Sequence, residues 1–366
     1  MAIGRSTVEK LVSDWNGLRV LVTGHTGFKG SWLALWLDAM GAEVTGFALP
    51  APTEPSLFET ARVAQRVRHI EGDVRDLSAL HAAFAEARPE MVFHLAAQPL
   101  VRLSYAEPVE TFATNVMGTV NLLEAARHSG DVRAILCVTS DKCYENREWI
   151  WPYREVDPMG GYDPYSSSKG CAELAIAAWR RSYFTGAGPL LASARAGNVI
   201  GGGDWAEDRL VPDLVRAFSA GEHPLIRSPL SVRPWQHVLE ALGGYLMLAE
   251  RLLAGDAAFA KGWNFGPAHS DARPVQWIVE QMREAWGGAP ASSSDTAHHP
   301  HEAGLLRLDC TMAAEELGWS PKLPLAQALD WTAAWHKQVT AGKDAQMMTL
   351  EQIERYRLSS KQFDTG

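Results

Sequence analysis

An α/β fold is predicted for this 366-residue chain: a doubly wound parallel sheet of the Rossmann type with a smaller, mostly helical C-terminal lobe. Three observations predict it. The first two-thirds alternates short apolar runs with helical patterns, as strands covered on both faces by crossover helices do. The first strand-to-helix turn is rich in glycine. After about residue 200 the alternation stops, and segments become shorter and richer in Gly and Pro until helices take over from 274 onward.

Taken in order, "RVLVTG" (19–24) is a β-branched run ending in glycine, and "GSWLALWLDAMGA" (30–42) has apolar residues at helical spacing with a stop at Gly41. "EVTGFAL" (43–49) and "VRHIEGD" (67–73) read as the second and third strands, and "LSALHAAFAEARP" (77–89) as a helix closed by proline. "EMVFHLAA" (90–97) is a fourth strand, 109–130 one long helix, "RAILCVTS" (133–140) a fifth strand, 165–184 another long helix, and 190–201 a sixth strand. "KGWNFGP" (261–267) is expected to return to the same sheet. The expected partition is a dinucleotide-binding domain over 1–193 joined by 238–268, a substrate lobe over 194–237 and 269–342, and a polar, frayed tail over 343–366.

Composition narrows the function. A hydrophobic fraction of 46% and a charged fraction of 21% are those of a soluble globular protein. The net charge of −9 argues against a general nucleic-acid or anionic-membrane binder, because both need a basic footprint. No signal-peptide pattern opens the chain, and "SWLALWLDAM" is about half the length needed to cross a bilayer, so a cytoplasmic protein is expected. The four cysteines lack metal or disulfide spacing, and "HHPHE" (298–302) reads as a solvated loop rather than a metal tract. No metal is expected.

"GHTGFKG" places Gly24, Gly27 and Gly30 at GxxGxxG spacing between the first strand and the first helix. The first glycine permits the tight turn, the second admits a pyrophosphate, and the third lets helix pack on strand, with the helix N-terminus facing the phosphates. A dinucleotide is the implied ligand. The stretch after the second strand, "ALPAP", is neither acidic nor basic and does not separate NAD from NADP. Asp73 is either at the adenine end or a solvated turn residue.

Tyr165 and Lys169 form YxxxK, and a spacing of four puts both on one helix face. A neighbouring ammonium is expected to lower the phenol's pKa, suiting Tyr165 to take a proton from an alcohol. Ser140, ending the fifth strand, completes a Ser–Tyr–Lys set. With "FHLAAQ" (93–98), "TNVMGT" (114–119) and "DPYSSSK" (163–169), the chain resembles the extended short-chain dehydrogenase/reductase superfamily. "TSDKCYEN" (139–146), together with "GHTGFKGSWL", "MGGYDPYS", "ARAGNVIGGGDW" and "VRPWQHV", is similar to the nucleotide-sugar 4,6-dehydratases of that superfamily, and among them to those acting on CDP-glucose.

The resemblance implies NAD as a recycled cofactor and oxidation at carbon 4 of the sugar, with Tyr165 as base supported by Lys169 and Ser140. It further implies loss of water across carbons 5 and 6, with a neutral Lys142 taking the carbon 5 hydrogen and a protonated Asp141 serving the departing hydroxyl. The other reading of Lys142 is a surface residue in a polar loop. In a regular strand Asp141 and Lys142 would point to opposite faces, so the chain must leave extended geometry at that point. Around the cofactor the resemblance places Gly24, Thr26, Gly27, Phe28, Lys29 and Gly30, then Asp73, Val74, Leu95, Ala96, Ala97 and Asn115. Around the substrate it places Gln98, Arg102, Ser140, Arg195, Asn198, Arg209, Leu210, Arg233 and His237. Each arginine has the alternative of an ordinary ion pair, and Trp235 and His237 the alternative of core. A 4-epimerase or reductase with the same Tyr–Lys pair is the competing enzyme, and a non-catalytic dinucleotide-binding protein the competing class. By analogy with superfamily dimers, the helices at 109–128 and 165–184 suggest a homodimer or higher homo-oligomer.

Overall fold

The computed structural model describes residues 15–295 and 304–359. The histidine tract at 298–302 therefore lies outside the described residues. Seven strands, β1 (Arg19–Thr23), β2 (Glu43–Ala48), β3 (Arg68–Glu71), β4 (Met91–His94), β5 (Ala134–Val138), β6 (Leu190–Ala196) and β7 (Gly262–Phe265), form one sheet in the order β7–β6–β5–β4–β1–β2–β3. All its pairings are parallel, with Val20 opposite both Val44 and Met91, and Arg195 opposite Asn264. Chain direction across the sheet reverses between β1 and β4. In such sheets ligands bind there, outside the strands' C-terminal ends.

The main helices are α1 (Phe28–Ala39), α2 (Leu77–Ala87), α3 (Gly118–Arg127), α4 (Pro164–Ser182), α5 (Leu210–Ala220), α6 (Val238–Leu253), α7 (Val275–Trp286), α8 (Leu325–Thr340) and α9 (Ala345–Ser359). Alternate side chains of β1 feed two cores. Val20 and Val22 join Trp32 and Leu33 of α1 and Leu242 of α6, whereas Leu21 joins Leu80 of α2, Leu122 of α3 and Ile176 of α4. Helix α1 is buried from Gly30 to Leu37, which explains why its sequence is apolar on every side. A third core gathers Val211 and Leu214 of α5, Ile278 of α7 and Leu329 of α8 around Ile200 and Trp235.

Three expectations change. The helix expected over 109–130 is a helical run interrupted by a π-turn at Ala113–Met117, flanked by Pro108–Phe112 and α3. The strand expected over 190–201 divides at Gly197–Asn198, and Val199–Ile200 pairs instead with Gln236–His237. The polar tail is corrected outright. Most of it is helix α9, with Ala345, Met348, Thr349, Ile353 and Tyr356 buried, while residues 360–366 lie outside the described set. Tyr356 donates to Glu240 Oε2 at 2.9 Å, and Glu240 Oε1 accepts the backbone N–H groups of Lys322 and Leu323 at 2.8 and 2.6 Å. Few apolar residues mark this helix because its polar groups are buried with partners instead of exposed. Among the described residues no helix is long and apolar enough to cross a membrane.

Candidate active site

The glycine loop sits at the topological switch, between β1 and α1. Gly24 has φ +75°, and a Cβ there would lie 2.7 Å from the Ala96 nitrogen. One on Gly30 would lie 2.1 Å from the Gly24 carbonyl, so neither position tolerates a side chain without the loop moving. At Gly27 an added Cβ would meet only the Gly24 oxygen, at 3.4 Å, and otherwise open space. No side chain caps the N-terminus of α1. An open backbone cradle in front of uncapped N–H groups fits a pyrophosphate. Thr26 ties the loop to the end of β2 by donating to the Leu49 carbonyl at 2.9 Å. His25 turns inward and pairs with His69 at 2.8 Å, a packing role that the sequence did not reveal.

Tyr165 and Lys169 lie on the first turns of α4, where Pro164 opens the helix and Asp163 caps it through the Ser166 N–H at 2.9 Å. Both side chains are buried. The row after β5 leaves extended geometry where the sequence requires it. Ser140 remains extended, and Asp141–Cys143 form one turn of 3-10 helix capped by Ser140 Oγ, which accepts the Lys142 N–H at 3.2 Å. Ser140 also donates to Asp141 Oδ1 at 3.0 Å and hydrogen-bonds the Tyr165 phenol. Asp141 is buried with Oδ2 unpartnered, and Lys142 is half-buried.

Electrostatics correct one expectation. Burial pushes Tyr165 up to about 12, against its hydrogen bond with Ser140 and the nearby Arg209 charge, so the anticipated fall in its pKa is absent. Burial also brings Lys169 down to about 8. Lys29 reaches the same cluster. Burial lowers its amine to about 7, helped by Arg209 and Lys169 and opposed by Asp141 and Asp204. Its Nζ lies 5.9 Å from the centre of the Tyr245 ring.

The remaining residues divide into those left at the cleft and those withdrawn from it. Arg102 pairs with Asp208 at 2.8 Å and Arg209 with Asp204 at 3.0 Å, both acids in the loop before α5. Arg227, which the sequence reading passed over, also pairs with Asp208, at 3.1 Å. Leu210 starts α5 and Asn198 sits at the break after β6, both half-buried. Arg233 is withdrawn instead: it is buried and donates to the carbonyls of Val232 and Gly304 at 3.2 and 3.3 Å.

Arg195 is withdrawn. It is buried and paired with Glu173 at 2.8 Å, because β6 points it under the sheet end and not into the cleft. Gln98 is turned inward as well, donating to Thr111 Oγ1 at 2.9 Å and the Leu100 carbonyl at 3.0 Å. His237 caps α6 and packs edge-on against Trp32 and Trp331, and burial lowers it to about 3, so it is core, as is Trp235. Asn115 lies in the π-turn and holds Gln98 and Ser168 rather than standing free. Asp73 bonds Arg75, while Val74 packs beneath Gly118. Leu95, Ala96 and Ala97 are half-buried beside the glycine loop, where Ala96 N–H donates to Thr23 Oγ1 at 3.3 Å. Glu173 itself was readable as the next position, four residues on, of the Tyr165–Lys169 face.

Residues 21–332 match the family model described as GDP-mannose 4,6 dehydratase. A CDP-glucose 4,6-dehydratase of Salmonella typhimurium is 54% identical over 93% of this chain and 97% of its own length. A UDP-glucose 4-epimerase from Thermus thermophilus, solved with NAD, superposes with TM-score 0.75 at 26% identity, covering 87% of this chain and 99% of that one. A dTDP-glucose 4,6-dehydratase from Bacillus anthracis, also solved with NAD, gives TM-score 0.75 at 21% identity over 90% of this chain and all of that one, a likeness of fold.

Proposed function

The chain belongs to the GDP-mannose 4,6-dehydratase family, and from that premise we propose how its residues divide the work of one reaction. The protein dehydrates CDP-glucose to CDP-4-dehydro-6-deoxy-D-glucose, with NAD as its recycled cofactor. NAD, when bound, would supply a hydride acceptor for carbon 4 of the sugar and the hydride that carbon 6 receives. The backbone of Gly24, Gly27 and Gly30 holds the pyrophosphate, with Thr26, Phe28 and Lys29 around it. Tyr165 takes the proton of the 4-hydroxyl in its phenolate form, which burial disfavours and Ser140 and Arg209 favour, with Lys169 beside it on the helix face. The ketone at carbon 4 acidifies the hydrogen on carbon 5, and Lys142 removes that proton. Asp141 supplies a proton to the oxygen on carbon 6 as its bond to carbon breaks, and water leaves. Lys142 then returns its proton to carbon 5. The proton taken by Tyr165 is released to solvent and Asp141 takes one up, so over the cycle atoms and electrons balance: sugar gives keto sugar plus water.

Arg102 and Arg209 turn from Asp208 and Asp204 to the diphosphate of the substrate, a partner whose oxygens suit a guanidinium fork, and Asn198 and Leu210 complete that wall. The observation that carries the reading is the turn at Asp141–Cys143. It places a buried carboxyl with a free oxygen one residue from an amine and within a hydrogen bond of the residue that touches Tyr165. A 4-epimerase has no use for such a pair. Incubation with CDP-, dTDP-, UDP- and GDP-glucose in parallel tests it. The alkali-induced absorbance of a 4-keto-6-deoxy sugar is expected from CDP-glucose, and accumulation of a 4-epimer would overturn the assignment.

Two copies of the chain are proposed to pack through the helical stretches around Pro108–Met117 and α4. Val109, Met117, Leu174 and Tyr183 are exposed there, an apolar face that water disfavours. Sedimentation at micromolar concentration is expected to give a dimer or larger, and a monomer would remove the proposal.

A further inference from the structure

The reaction sequence above leaves one buried pair of charges without a task. Glu173 and Arg195 are both almost wholly enclosed. We propose that this pair is a positioning clamp, holding the acid–base turn at Ser140–Cys143 in register with the helix that carries Tyr165 and Lys169. The inference rests on the roles given to Asp141 and Lys142 in the dehydratase reading.

The connections are direct. Glu173 is four residues beyond Lys169 and eight beyond Tyr165, so the clamp and the oxidising pair share one face of α4. Its Oε1 accepts from Thr139 Oγ1 at 2.5 Å, and its Oε2 accepts from Ser193 Oγ and Arg195 Nη2, each at 2.8 Å. The other arm of the guanidinium, Nη1, donates to the Tyr144 hydroxyl at 2.7 Å and to the Glu155 carbonyl at 3.2 Å. Tyr144 passes the bond on to Asn264 Oδ1 at 2.7 Å. Thr139 immediately precedes Ser140, and Tyr144 immediately follows Cys143. Both ends of the reacting segment are thus fastened to one ion pair.

A single turn of 3-10 helix has poor hydrogen-bond geometry and little cooperativity of its own. Stability is a weak reason for the pair, because well-packed apolar residues often do as well as buried charges. Fixed direction is the stronger one. Burial alone would push Glu173 up, yet Arg195 and the two hydroxyls hold it below its ordinary value, so the charged clamp is the resting state. Elimination needs the turn and the sugar aligned to a fraction of an ångström, and a misplacement of about 1 Å can cost about a hundredfold in rate.

Thr139→Val and Tyr144→Phe each cut one tether while leaving the ion pair and the reacting groups in place. The NAD-loaded protein is mixed with CDP-glucose for a single turnover, and the absorbance of reduced nicotinamide is followed beside release of the keto sugar. Each variant is expected to form reduced nicotinamide at close to the parent rate but to hold it, with keto-sugar release about tenfold slower, and about a hundredfold slower in the double variant. Glu173→Gln with Arg195→Met, which removes both charges together, is expected to show the same accumulation. Equal slowing of both signals, or no change in either, overturns the clamp. A second readout needs no turnover: amide hydrogen exchange over residues 139–144 should quicken in the variants, and unchanged exchange also overturns it. Should the parent protein yield neither signal from CDP-glucose, the dehydratase reading fails, and exchange alone decides the clamp.

Discussion

Tyr165 and Lys169 are held by one helix, whereas Asp141 and Lys142 are held by contacts from several separate elements. The helical pair needs only a start signal, Asp163 and Pro164, and the spacing of four that puts both side chains on one face. The turn needs Thr139 at the end of β5, Glu173 on α4, Arg195 on β6 and Asn264 on β7. Local periodicity therefore fixes the group proposed for the 4-hydroxyl, and long-range partners fix the groups proposed for water loss. That difference predicts separable chemistry. Tyr165→Phe removes the proposed base of the first stage, so both reduced nicotinamide and keto sugar should fall about 10⁴-fold. Lys142→Ala should cut keto sugar about 10³-fold while reduced nicotinamide still forms. Single-turnover absorbance checks both, and loss of both signals in the Lys142 variant would abolish the division.

The same contrast sets what a sequence reveals. Strands β1 to β7, the glycine loop and the YxxxK pair were legible because each is carried by a period or by a residue type with one steric use. Gly30 is an example, since a Cβ there has nowhere to go. Arg195 was expected around the substrate with an ordinary ion pair as the alternative, and the ion pair is what forms, because an arginine near a strand end reads the same whether it faces a cleft or a buried glutamate. Only the pairing of β6 with β5 and α4 behind them decides. Gln98, expected at the substrate, and His237, left open between substrate and core, turn inward for the same reason, with partners, Thr111 and Trp32, on other segments. Helix α9 was hidden by chemistry rather than distance. Thr349, Gln352 and Tyr356 read as solvent-facing, yet they are buried with Trp335, Trp331 and Glu240.

Burial of the helical pair should also be visible in stability. Lys169 titrates at about 8 in the folded chain, against an ordinary value of 10.5. Between those limits the unfolded chain binds a proton that the folded chain does not, so stability rises with pH across that window and is lost as pH falls through about 8. One such group gives a slope of up to about 1.4 kcal/mol per pH unit. Lys29, at about 7, acts in the same direction from lower pH. The buried thiols of Cys137 and Cys310, raised from 9.0 to about 12, oppose the trend above pH 9, Cys143 acts with them, and Tyr165, raised from 10.0 to about 12, joins them above pH 10. Urea unfolding between pH 8 and 9 should show the rise, and Lys169→Met should reduce it to the part that Lys29 contributes. A Lys169→Met profile as steep as the parent's would mean the helical amine is not buried in the folded chain, and the contrast with the turn would weaken.

Ser140 is where the two regions meet, so it offers the finest test. Its hydroxyl caps the turn through the Lys142 N–H, donates to Asp141 and bonds the Tyr165 phenol. Ser140→Ala removes a cap worth about 1 kcal/mol, which urea unfolding would register. If the hydroxyl serves both regions, formation of reduced nicotinamide and release of keto sugar should each slow by about tenfold, the equivalent of about 1.4 kcal/mol. Slowing of release alone would assign Ser140 to the turn, and slowing of the first signal alone to the helical pair. Equal slowing is expected because Asp141 and Tyr165 compete for one small group. Its loss leaves Asp141 without the contact at Oδ1 and the phenol without the bond that opposes burial. A hydroxyl shared in this way keeps the two halves of the site at a fixed separation, which neither the helix nor the turn can do alone.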